Sequence, residues 1–132
     1  MIGPGVRCAT LLFGFIVAIF HPGVSKAQET VDLELVLAVD VSGSVDGEEF
    51  ALQMGGVAQA FRDPSVIQAI ENATPRGIVV AVVLWSSSEW QAVAVDWRRV
   101  TGRDDAHAFA MAVEAAPREF SGNTAIASAI DF

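Results

Sequence analysis

Residues 33–39, LELVLAV, are apolar at every position but Glu34 and rich in Leu and Val. So short and dense an apolar run is the pattern of a strand covered on both faces, and it predicts a central strand of a parallel sheet. After Asp46 the period changes. Phe50, Met54, Val57, Ala58 and Phe61 recur at spacings of four, three, one and three, one stripe along a helix that Asp63-Pro64 ends. Gly55-Gly56 inside it costs roughly 1 kcal/mol per glycine, and close packing on a sheet would be one reason to tolerate the pair. A short helical piece, SVIQAIEN at 65–72, precedes a break at Thr74-Pro75-Arg76-Gly77.

A second fully apolar strand follows at 78–85 (IVVAVVLW), and 90–97 (WQAVAVDW) alternates as a half-exposed third. Only SSSE separates them, which suits a hairpin, since a parallel crossover needs a dozen residues or more. The third strand is therefore expected to run antiparallel at the sheet edge. Residues 104–116 read as a helix with Asp104 and Asp105 at its positive N-terminal end, closed by Pro117. FSGNTAIASAIDF then begins another helix. This order predicts an α/β fold: a three-layer, Rossmann-like arrangement with a mostly parallel sheet and an antiparallel edge strand.

The first 27 residues stand apart. Arg7 precedes a 12-residue apolar core, ATLLFGFIVAIF, and Ser25-Lys26-Ala27 offers small residues where a signal peptidase reads, so 1–27 is expected to be a cleaved secretory signal and 28–132 the domain. The apolar core is shorter than the roughly 20 residues a membrane-spanning helix needs. Export to the periplasm or the extracellular space follows. Cleavage also changes the charge. The whole chain is −8 and loses Arg7 and Lys26, leaving six Arg against 16 acids, a net −10 with no Lys. That balance excludes nucleic acid and anionic membrane as natural partners. The single cysteine, Cys8, leaves with the signal, so the mature chain has no disulfide framework or thiolate metal site.

Candidate chemistry lies at the exit of the first strand, where Asp40-Val41-Ser42-Gly43-Ser44 places three oxygen-bearing side chains at steps of two. In open α/β sheets, ligands bind beyond the carboxyl ends of strands. A carboxylate and two hydroxyls are hard ligands suited to Mg2+, with Mn2+ or Ca2+ as alternatives, and they leave coordination positions to water or an external group. The motif resembles the D-x-S-x-S sequence of the von Willebrand factor type A fold, its metal-ion-dependent adhesion site. The wording LAVDVSGSVDGEEF…TAIASAI is similar to an uncharacterised group of exported bacterial proteins carrying that domain. The resemblance covers residues 31–132. It implies that Ser42 and Ser44 bind the cation directly, that Asp40 acts mostly through water, and that Thr124 adds a direct ligand from a later loop. It also implies that further strands and helices, one strand ending in another aspartate, follow Phe132, with the first strand left as an open apolar edge in their absence.

The implied function is a non-enzymatic binding module whose cation accepts a Glu or Asp carboxylate from a protein partner. Two other readings compete. Asp40 could be the nucleophile of a hydrolase, although such enzymes want a second acid where Ser42 stands, and no G-x-S-x-G elbow or phosphate-binding glycine loop is present. Alternatively the domain is a metal-free scaffold in which the motif, or Ser121, Asn123 or Thr124, merely caps a helix. Asp46, Glu48 and Glu49 favour the N-terminal end of the first helix. His107 reads as a surface or boundary residue. Trp85, Trp90 and Trp97 read as packing around the hairpin, an exposed pair among them being a partner surface.

Overall fold

A computed structural model describes residues 30–132; the expected signal segment, 1–27, and its expected cleavage point lie outside the described residues. The elements run β1 (Leu33–Asp40), α1 (Gly47–Ala60), α2 (Pro64–Ala73), β2 (Ile78–Trp85), β3 (Gln91–Val100), α3 (Arg103–Ala115) and α4 (Ile126–Ile130). The sheet order is β1-β2-β3. β1 pairs with β2 in parallel, Leu33 opposite Ile78 through Asp40 opposite Trp85, and β3 returns antiparallel as the four-residue connection requires. The fold is α/β, consistent with a Rossmann-like arrangement.

Within the described residues the sheet is mixed, one parallel and one antiparallel pairing, with β3 at the antiparallel edge as expected. The reading of β1 as central is corrected: β2 is the central strand, and β1 is the open edge expected where further strands are absent. Only β2 is apolar at all eight positions and buried at seven of them. β1 pairs on one side only and is largely exposed, with Leu33 at 47% and Val36 at 50%. Its sequence accounts for the exposed face, though not for the edge position. Glu34 and Asp40 fall on one parity with Val36 and Ala38, so one face of β1 is mixed and only the Leu35-Leu37-Val39 face is fit for a core.

That inner face meets α1, α2 and α3. Phe50, Met54 and Ala58 of α1, Ile67 and Ile70 of α2, and Ala106, Phe109, Ala110 and Val113 of α3 are buried against Val80, Val82 and Leu84. The Phe61 and Phe109 rings stand 4.5 Å apart at 55°. On the other face only α4 and the chain's last residues approach, leaving an apolar groove of about 380 Å³ lined in part by Val36, Val83, Trp97, Ile130 and Phe132. The third layer is thin among the described residues.

Local chemistry sets the element boundaries. Asp46 caps α1, accepting from the N–H groups of Glu48 and Glu49 at 2.8 Å, while Glu49 accepts from the Asp46 N–H at 2.9 Å, a complete capping box. Asp63 caps α2 ahead of Pro64. Gly77 has φ +77°, and a Cβ there would stand 2.9 Å from the Val100 carbonyl oxygen, so both conformation and space demand glycine. Close packing does not explain Gly55-Gly56: a Cβ at either position would meet nothing within 4 Å.

Candidate functional site

Three segments meet beyond the carboxyl ends of β1 and β2: the β1–α1 loop, the β2–β3 turn, and the loop between α3 and α4. Backbone hydrogen bonds tie them together. The Val41 N–H donates to the Trp85 carbonyl at 2.9 Å, the Gly43 N–H to Gly122 at 2.7 Å, and the Ala125 N–H to Ser86 at 2.8 Å. Thr124 thus sits between one residue anchored to the D-x-S-x-S loop and another anchored to the hairpin turn.

Within the first loop, Asp40 is half-buried and its Oδ1 accepts from the Ser42 N–H at 2.7 Å, which folds the loop back over the strand end. Ser42 is 1% exposed and Ser44 exposed. Their hydroxyl oxygens face each other at 3.4 Å, too long for a good O–H···O bond. The structure brings Asp40, Ser42 and Ser44 into one loop and the backbone of Thr124 into the loop beside it, with the Thr124 side chain exposed. Helix capping does not account for these side chains. α1 is capped by Asp46, and α4 has Ala125 at its N-cap position and no side-chain cap.

Three further residues of the junction escape sequence reasoning. Ser42 and Ser86 are the two buried polar residues among those described, and the Ser86 Oγ has no hydrogen-bond partner. Its signal in the sequence is slight: a serine directly after an apolar strand, within a run that reads as a turn. Gly122 packs against that turn, where a Cβ would come within 3.0 Å of both the Ser86 and the Ser87 hydroxyl oxygens. Arg118 has no sequence signal at all. Its Nη2 donates to the carbonyls of Val45 at 2.6 Å, Val41 at 3.2 Å and Ser42 at 3.3 Å, gripping the D-x-S-x-S loop from behind.

The donor set limits what this site can bind. Among the described residues no group of three or more His, Cys, Asp or Glu could hold a metal ion, so a cation here depends on hydroxyls with Asp40 as the one carboxylate. Such donors suit hard cations. Neighbouring ligands of an octahedral cation stand about 2.9 Å apart for Mg2+ and about 3.4 Å for Ca2+, so a small hydroxyl rotation covers the range from the observed spacing. Trp90 and Phe120 stack beside the junction, centroids 5.8 Å apart, with Trp90 53% exposed. Trp97 is exposed too, and Trp85 is buried. His107 is half-buried on α3, the boundary position its surroundings in sequence suggest.

The family described as "Protein of unknown function (DUF1194)" matches residues 30–132, and the chain belongs to it. No curated protein matches the sequence. None of the described helices is long and apolar enough to cross a membrane.

Proposed function

We propose that the chain is an exported, von Willebrand factor A-like binding module that holds a divalent cation, Mg2+ in the first place, and uses it to bind a protein partner's Glu or Asp. Ser42, Ser44 and Thr124 would ligate the cation directly, and Asp40 through water. Held there, a cation would supply a positive centre for a partner's carboxylate. What the chain itself contributes is orientation: the Asp40-to-Ser42 turn and the Gly43-to-Gly122 bond keep the hydroxyls together at a strand end.

One observation carries the reading. Oxygen-bearing side chains gather where two parallel strands end, in loops bonded to one another, and no helix cap uses them. The surface around the junction gives a second reason for a cation. Asp46, Glu48, Glu49, Glu89 and Glu119 flank the loops in sequence against the single cation Arg118, whose Nη2 is turned to the loop's carbonyls, so a further positive charge would favour a partner carboxylate.

Titration calorimetry with Mg2+ and Mn2+ tests the proposal. The wild-type chain is expected to bind one cation weakly, because hydroxyl ligands are neutral, and Ser42→Ala and Ser44→Ala should abolish the signal with circular dichroism unchanged. A partner carboxylate should tighten cation binding by reciprocal coupling. Equal binding by wild type and both variants would refute the assignment.

A further inference from the structure

We propose that Ser86 belongs to the same site, its hydroxyl holding a water of the cation's coordination shell; this rests on the cation reading above. The starting observation is a buried hydroxyl that bonds to nothing in the protein. Ser86 is 0% exposed and its Oγ lacks any partner. A buried hydroxyl left unbonded costs about 1–3 kcal/mol, and folded interiors rarely keep one.

The position of that hydroxyl is not accidental to the turn. The Ser86 N–H donates to the Trp90 carbonyl at 3.0 Å and its carbonyl accepts from Ala125 at 2.8 Å, so both backbone groups are used and the residue is fixed on two sides. Because Asp40 stands opposite Trp85, Ser86 follows β2 as Val41 follows β1, one residue short of buried Ser42 in the neighbouring loop. Gly122 completes the setting. A side chain there would come within 3.0 Å of the Ser86 and Ser87 hydroxyls, so both face the backbone of the loop that carries Thr124. A small divalent cation with few protein ligands retains several waters, and groups that orient such outer ligands are worth about 10- to 100-fold in affinity.

Calorimetry with Mn2+ on the full chain separates the alternatives. Ser86→Ala should bind Mn2+ about tenfold more weakly than wild type, while its metal-free thermal midpoint stays equal or rises because an unsatisfied polar group has gone. Wild-type affinity in Ser86→Ala, with Ser42→Ala inactive, would overturn the role of Ser86 and leave the cation site standing. Absence of Mn2+ binding by wild type would overturn both. Should Ser86→Ala fail to fold, Gly122→Ala gives the second arm: its methyl fills the space beside the hydroxyls, a loss of about tenfold is expected, and unchanged affinity would overturn the proposal.

Discussion

Replacing Arg118 by Met asks how firmly the D-x-S-x-S loop is held. The Nη2 atom has two hydrogens for three carbonyls, at 2.6, 3.2 and 3.3 Å, so it makes one strong bond and one shared between the two longer contacts. Two bonds with one charged partner, in a part-buried setting, contribute about 3 kcal/mol together at the lower end of the usual range. Against this, the Arg118 Nε is buried without a partner, which costs about 1–3 kcal/mol and disappears in the Met variant. With that relief taken at its lower half, about 1–2 kcal/mol, the net loss expected is about 1–2 kcal/mol. With a urea dependence of about 2 kcal/mol/M, the unfolding midpoint should fall by about 0.5–1 M at unchanged slope. Hydrogen exchange gives the local readout, since the Ser42 and Gly43 amides should lose protection before the β2 core does. Arg118→Lys keeps the charge without the planar fork and should fall between. A midpoint within about 0.2 M of wild type, with Gly43 protection intact, would mean that water satisfies these carbonyls and that Arg118 holds nothing.

Asp46→Ala should destabilise the fold by about 1–2 kcal/mol in urea unfolding through loss of the capping box, whereas Ser44→Ala should change stability by less than about 0.5 kcal/mol, because Ser44 caps nothing. Gly56→Ala, at an exposed helical position with open space around it, should stabilise by about 0.5–1 kcal/mol in the same assay. Acid sensitivity follows from Asp32, whose carboxylate is held below its ordinary 3.8 by the Arg76 backbone N–H first and by the Arg76 side chain next. A group depressed in the folded state adds stability above its unfolded pKa and loses it as pH falls through the folded one, so Asp32→Asn should be less stable than wild type at neutral pH. That difference should vanish in strongly acidic urea titrations, and a difference that persists there would point to packing instead.

The element order was legible because β2 is a solid apolar run, β3 an alternation and α1 a stripe, while Pro75-Arg76-Gly77 and Pro117 mark where the other two longer helices end. The place of β1 was legible only through the resemblance, which implies an open edge without further strands, and not through its own pattern. LELVLAV looks like a buried strand by composition, yet its parity divides it into a core face and a mixed face, and parity says nothing of which strands lie alongside. The site was legible to the extent that it is local in sequence. Asp40, Ser42 and Ser44 lie within five residues, and their loop position follows from the strand before and the helix after. Thr124 came from a resemblance, and the structure settles only that its backbone adjoins the first loop. Arg118 reaches back more than 70 residues to grip carbonyls, and backbone carbonyls leave no trace in a sequence.

The same junction shows why a capping explanation and a binding explanation, indistinguishable on paper, separate in three dimensions. A Ser or Asp before a helix has a cheap local use, since free N–H groups there await an acceptor. In this chain that use is filled by Asp46, two residues beyond the motif, and by Asp63 at the next helix. Ser42 is then buried with its hydroxyl aimed at Ser44 rather than at a backbone donor, and Ser86 is buried with no donor or acceptor in reach. Apolar residues of similar size would pack there without the cost of desolvating a hydroxyl. Sequences that are consistent at the level of caps, turns and core elsewhere tend to break those rules where something other than folding selects the residue. Here the breaks fall together, on the two buried serines and the glycine between their loops, and that coincidence is the physical ground for looking at this end of the sheet first.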